Sequence, residues 1–191
     1  MLAVAVNSFC SKTFNLTTNK KQQTLANEIK NRVANSKLVT FDLEDFYPEG
    51  VRTLFDIKDW LYKGFVLKEK EFRELVKNYN WSQHQNQYIA LTCSTDAIIP
   101  AWAYMLLVVN LEPYVEKVVI GTLKDLETSI YQDIINTIDV HSFKNKPIII
   151  KGCANKPVPI NAYTMLIKKL KPVAKSLMYG EACSFVPLFK S

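Results

Sequence analysis

From Tyr88 to Met178 one pattern dominates: short apolar runs, each separated from the next by a longer stretch of helical periodicity. The runs are Tyr88 to Thr92, Lys117 to Ile120, Pro147 to Lys151 and Val173 to Met178. The helical stretches are Pro100 to Asn110, Leu123 to Ile138 and Pro159 to Leu170. A strand whose two faces both meet apolar neighbours shows no alternation, and helices between such strands supply the crossovers that parallel pairing needs. The pattern therefore predicts an α/β fold of three layers, a mostly parallel sheet with helices on both faces. Thr122, with Asp125 three residues on, resembles a capping box and marks one helix start.

Upstream, Lys68 to Tyr79 reads as a charged amphipathic helix with Phe72, Leu75, Val76 and Tyr79 on one face. Leu38 to Phe41 and Val51 to Ile57 read as strands around Asp42-Leu-Glu-Asp-Phe-Tyr-Pro-Glu-Gly, whose Pro48 and Gly50 predict a turn. We expect this segment, 38 to 57, to form an N-terminal antiparallel hairpin at or beyond one edge of the sheet. Residues 1–26 contain no Gly, Pro or acid and hold no period, so they are expected to be a poorly ordered extension carrying Cys10. Residues 27–191 are then a single α/β domain, entered through a short helical pattern from Ala26 to Val33.

Charge and length exclude several function classes. Of the net charge of +6, Lys12, Lys20 and Lys21 supply three, which leaves +3 for the rest and argues against a nucleic-acid partner. No apolar run approaches the ~20 residues a membrane helix needs, and Met1 to Val6 is too short for a secretory signal. A soluble, cytoplasmic protein without membrane contact is expected. With five glycines and no Gly-rich phosphate motif, neither an NTPase nor a standard dinucleotide enzyme is indicated.

Three cysteines occupy similar places. Cys93, Cys153 and Cys183 each follow a predicted strand, so parallel strands in one sheet would put all three thiols on its carboxyl edge, where ligands bind. The first two segments look like copies: Cys93, Pro100 and Ala103-Tyr104 match Cys153, Pro159 and Ala162-Tyr163, with Cys183 to Pro187 a truncated third. Three thiolates with a fourth ligand from Asp96, Glu181, His84, His141 or water would suit zinc or an iron-sulfur cluster. No C-x-x-C pair supports this, and free cysteines also serve as small packing residues. His84 and His141 lie in polar segments and are expected to face solvent. Asp42, Glu44, Asp45, Glu49, Asp56 and Asp59 crowd one region, read as a solvated loop, a hard-cation site or, with Phe46 and Tyr47, a surface for a basic partner. Lys151, Lys156 and Lys175 flank the proposed edge, and Trp60, Trp81 and Trp102 are read as packing residues.

The phrases Val33-Ala-Asn-Ser-Lys-Leu-Val-Thr, Asp42-Leu-Glu-Asp-Phe-Tyr-Pro-Glu-Gly, Phe55-Asp-Ile-Lys-Asp-Trp-Leu, Leu91-Thr-Cys-Ser-Thr-Asp-Ala-Ile-Ile-Pro, Lys151-Gly-Cys-Ala-Asn-Lys-Pro-Val-Pro and Met178-Tyr-Gly-Glu-Ala-Cys-Ser resemble the bacterial family catalogued as domain of unknown function 2480. The resemblance runs from about Glu28 to Lys190 and carries no assigned activity. It implies a setting beside SUF-type iron-sulfur assembly components. Two readings follow. In one, the protein is an accessory factor of iron-sulfur or metal metabolism, partnered by assembly proteins, whose three cysteines hold zinc or a cluster. In the other, it is a non-catalytic interaction module with structural cysteines and an acidic surface. A weaker third has one cysteine as a nucleophile.

Overall fold

The structure is a computed structural model describing residues 38–152 and 155–191. Cys10, the extension 1–26, the Ala26 to Val33 pattern and Cys153 lie outside the described residues. The strands are β1 (Val39–Phe41), β2 (Arg52–Asp56), β3 (Tyr88–Thr92), β4 (Lys117–Ile120), β5 (Pro147–Ile150), β6 (Ser176–Glu181) and β7 (Ser184–Lys190). The helices are α1 (Glu69–Asn78), α2 (Ala101–Leu111), α3 (Leu123–Thr137) and α4 (Ile160–Leu170). The class is α/β with mostly parallel strands, as the apolar runs require.

The strands divide between two sheets, however, not one: β2-β3-β4, all parallel, and β1-β5-β6-β7, in which only β7 runs antiparallel. The predicted hairpin over 38 to 57 is a second correction. β1 pairs in parallel with β5, Phe41 opposite Ile150, while β2 pairs in parallel with β3, Phe55 opposite Leu91. The physical reason is that β3 and β5 are buried on both faces and are stable only with a neighbour on each side, whereas an isolated two-stranded hairpin is marginal in water. The antiparallel pair lies instead at the chain end, where Gly180 at φ +125° leads β6 towards β7. The segment read as a truncated third copy, Cys183 to Pro187, therefore belongs to this hairpin and opens no helix. Pro187 argues against an interior strand, but β7 is an edge strand, where a missing N–H need not break the ladder.

Local chemistry explains the helices. In α1, Phe72 and Val76 are buried and Tyr79 follows at the C-cap, while Leu75 turns out to solvent. Its exposed flank carries Arg73 paired with Glu69 at 2.8 Å. The capping box of α3 is present: the Thr122 side chain accepts from the Asp125 amide, and the Asp125 carboxylate accepts from the Thr122 amide at 2.8 Å.

Each sheet has its own core. Ile89 and Leu91 of β3 pack with Phe55, Phe72, Val76, Leu107 and Leu111, walled by Trp60, Trp81 and Trp102. Ile148 and Ile150 of β5 pack with Phe41, Leu177, Leu166 and Leu170. Helix α3 serves both halves. Its Leu126 and Ile130 cover Ala90 on the other face of β3, and its Tyr131 and Ile135 enter the β5 core. The buried Tyr131 phenol donates to the Leu43 carbonyl at 3.0 Å, and burial, reinforced by the charge of Glu127, pushes its pKa up so that it stays a donor.

The halves are built alike. Phe41-Asp-Leu-Glu-Asp-Phe46 after β1 repeats as Phe55-Asp-Ile-Lys-Asp-Trp60 after β2, and each forms a 3-10 turn capped by its first aspartate. Asn86 and Asn145, both at positive φ, enter the central strands β3 and β5. The loops after those strands lead into α2 and α4, each opened by a proline.

Candidate functional site

The two described cysteines of the predicted cluster belong to different sheets. Cys93 follows β3 in the three-stranded sheet, half-buried, with its sulfur 3.4 Å from Thr95 Oγ1. Cys183 is exposed in the turn between β6 and β7 of the four-stranded sheet. The expectation that all three thiols share the edge of one sheet is corrected accordingly, since β3 and β5 are the centres of separate sheets. Asp96 is exposed three residues past Cys93, and Glu181 ends β6 two residues before Cys183. Among the described residues no group of three or more His, Cys, Asp or Glu side chains is placed to hold a metal ion. Beside the chain position of Cys153, Gly152 lies so close to Tyr179 that an added Cβ would stand 2.6 Å from its ring, and the Tyr179 phenol donates to the Gly152 carbonyl at 3.3 Å.

The histidines divide as well. His141 is exposed, as expected, but His84 is buried. Its Nδ1 is 3.2 Å from Gln87 Oε1, an acceptor, so the ring donates there and presents Nε2 to the Tyr79 hydroxyl at 2.9 Å. Packing against Phe55 and Tyr79, not the polarity of the flanking sequence, decides its place.

The acidic region is largely committed within the molecule. Asp56 accepts from the Ser94 amide at 3.1 Å, tying the first copy's turn to the Cys93 loop. In the second copy Asp42 pairs with Lys151 at 2.8 Å, and the Glu44 carboxylate accepts from the Asn155 amide. Burial alone would raise the Asp42 pKa, but the Lys151 hydrogen bond, the Glu44 amide and the Lys151 charge outweigh it and hold the carboxyl below its ordinary value. Asp56 is lowered in the same way: burial is outweighed by Ser94 and the Lys58 amide. Asp45 and Phe46 stay exposed, with Phe46 stacked on Phe41 at 5.3 Å. Lys156 stands 3.6 Å from Glu49.

Tyr47 leads to a feature that sequence reasoning missed. With Arg52, Leu123, Lys124, Glu127 and the Pro157-Val-Pro159 loop it lines a cleft of about 450 Å³. Tyr47 follows β1 and Pro157 follows β5, so the cleft opens beyond the carboxyl ends of the four-stranded sheet, the place where ligands bind in such folds. Arg52 Nε donates to Glu127 Oε1 at 2.8 Å and Nη1 to the Gly50 carbonyl at 2.7 Å. The guanidinium lies between the rings of Tyr47 and Tyr88, 4.3 and 4.7 Å from their centroids. Among the described residues, Arg52 Nη2 and Glu127 Oε2 are buried without a hydrogen-bond partner. Arg52 and Glu127 are 75 positions apart, and no local pattern links them.

A second feature is the outer face of α2. Ile98 is 92% exposed, and on the helix Met105 is 64% and Val109 70% exposed, with exposed Ala101 one turn before Met105. The equivalent helix of the other half makes the comparison direct. Aligning buried Ala103 with buried Ala162 sets Met105 opposite Thr164 and Val109 opposite Lys168, both exposed. At these two places one copy is polar and the other apolar, and Ala101–Leu111 contains no charged residue.

Among known proteins, a family model matches residues 27–191, that of a protein of unknown function, DUF2480. No curated protein and no solved structure matches the chain. Among the described residues no helix is long and apolar enough to cross a membrane.

Proposed function

Taking the chain as a member of the DUF2480 family, to which its match over residues 27–191 assigns it, we propose that it is a non-catalytic interaction module that docks another protein chain on the outer face of α2. The observation carrying this reading is the apolar stripe Ile98, Ala101, Met105 and Val109, whose last two members, Met105 and Val109, stand where the sister helix α4 has exposed Thr164 and Lys168. A helix that is apolar all round is ordinarily buried, and an exposed stripe of this kind marks a contact surface. The stripe is uncharged, so it demands an uncharged face opposite. The same stripe on a second copy supplies one by two-fold symmetry. The expected result is self-association in light scattering across a concentration series, abolished in Met105→Lys/Val109→Lys with the fold intact by circular dichroism. A wild-type chain that stays monomeric at every concentration would sink the reading.

A second reading, metal or cluster handling with iron-sulfur assembly proteins as partners, is favoured by one placement. Strands β5 and β6 are adjacent and parallel, and the first leads through Gly152 to Cys153 while the second leads to exposed Cys183. On this reading the two thiols, with Glu181, hold zinc or an iron-sulfur cluster, and Cys93 stands apart. Anaerobically purified protein is then expected to carry zinc, or iron with sulfide, and Cys153→Ser/Cys183→Ser to lose it while Cys93→Ser retains it. Metal-free protein that does not reconstitute would remove this reading.

A further inference from the structure

The cleft between Tyr47, Arg52, Glu127 and Pro157–Pro159 is independent of both readings, and its chemistry is specific. Arg52 and Glu127 meet through one hydrogen bond, Nε to Oε1, where a guanidinium and a carboxylate ordinarily meet through two. Among the described residues the second pair of atoms, Nη2 and Oε2, has no hydrogen-bond partner although both are buried, with the Tyr47 phenol the nearby group that also interacts with the Glu127 carboxylate. The fork does not close because the guanidinium is held from three sides: by the Gly50 carbonyl on Nη1, and by the Tyr47 and Tyr88 rings against its two faces. Glu127 itself is only 8% exposed, so bulk water does not compensate the open oxygen. Buried polar groups in folded proteins are almost always paired, and an unpaired donor beside an unpaired acceptor at a cleft is a site in search of a ligand group.

We propose that this cleft binds a small molecule with a flat apolar body ending in a cis amide edge, a carbonyl oxygen and an N–H side by side. The carbonyl accepts from Arg52 Nη2 and the N–H donates to Glu127 Oε2. A carboxylate would satisfy the arginine but leave two acceptors facing one another at Glu127, and an amidine would place its charge against Arg52. Only a group that is donor and acceptor at once matches both atoms. The remaining lining suits the body of such a ligand. Leu123, Val158 and the prolines are apolar, and Tyr47 adds an aromatic ring to the lining. Lys156, whose ammonium lies 5.4 Å from the Tyr47 centroid, places a second cation over that ring. A primary carboxamide and a cyclic lactam, the edge that nucleobases and related heterocycles carry, share this chemistry.

Four probes of similar size separate the possibilities: benzamide, 2-pyridone, benzoate and benzamidine, each titrated into the full chain while the amide resonances of Lys124, Glu127 and Val158 are followed by NMR. Benzamide or 2-pyridone is expected to give saturable shifts at least about tenfold tighter than benzoate and benzamidine, a difference of the size that one unmatched buried polar group produces. Tighter benzamide points to a carboxamide and tighter 2-pyridone to a lactam. Glu127→Gln should invert the order. Because Arg52 Nε still requires an oxygen at Oε1, the new amide nitrogen takes the Oε2 place and becomes a donor, so benzoate gains as the amides lose. Leu123→Trp fills the cleft without touching the pair and should abolish binding of all four. The proposal is overturned if no probe gives saturable shifts in the wild-type chain, or if benzoate or benzamidine binds as tightly as the amides.

Discussion

Arg52→Met is expected to lower the unfolding free energy by about 3–5 kcal/mol at neutral pH. The side chains of Arg52 and Glu127 are 12% and 11% exposed, so both ions have left most of their water behind. Their mutual attraction, the Gly50 carbonyl and the two tyrosine rings offset that loss for the arginine. Remove the arginine, and Glu127 keeps a buried charge without the cation hydrogen-bonded to it. Apolar groups in place of both ions leave no such charge behind. Urea unfolding of wild type and variant at neutral pH measures this, and Arg52→Met/Glu127→Leu should recover most of the loss. A loss under about 1 kcal/mol, the size of an exposed pair, would show that the pair is not desolvated as the structure has it.

How much of this was legible in the sequence depends on whether the signal was local. Tyr88 to Thr92 and Lys117 to Ile120 are strands to the residue because apolar β-formers are bounded by polar residues on both sides. The Thr122–Asp125 box fixed the start of α3 for the same reason. The division into two sheets was not local. Whether β1 pairs with β2 or with β5 is decided 100 and more residues away, in the neighbours that Ile148 and Ile150 require. A signal for it did exist in Phe41-Asp-Leu-Glu-Asp-Phe46 and Phe55-Asp-Ile-Lys-Asp-Trp60: two copies of one turn imply two equivalent strands, each beginning its own parallel unit, in place of two arms of a hairpin. The repeat at Cys93 and Cys153 was the other half of that signal. It was informative about architecture, because it set α2 beside α4, and this comparison singles out Met105 and Val109 as misplaced for solvent. Leu75 and His84 failed in opposite directions for one reason, that a side chain's neighbours across the core outweigh those along the chain. Arg52 with Glu127 carried no signal of any kind, since a single arginine opening a strand and a single glutamate on a helix are commonplace.

Because α3 is shared, damage to one core should be felt in the other. Leu166→Ala removes a fully buried side chain from the four-stranded half, and is expected to cost about 2–5 kcal/mol. All three tryptophans report from the opposite half, where Trp60, Trp81 and Trp102 surround Phe55 and Phe72. If the halves were independent, their fluorescence would unfold at the wild-type midpoint while circular dichroism, which averages over both, split into two steps. The expected outcome is otherwise: one transition, with fluorescence and dichroism midpoints shifted together. The reason lies in adjacent stripes of a single helix. Leu126 and Ile130 are buried under Ala90, Tyr131 and Ile135 are buried in the core that Leu166 belongs to, and the Tyr131 hydroxyl anchors that side to Leu43. The helix cannot leave one core without exposing its face in the other, and the Arg52–Glu127 pair adds a further tie from α3 to β2. A tryptophan midpoint left unmoved by Leu166→Ala would mean that α3 belongs energetically to one half alone, and that the two repeats fold as separate units.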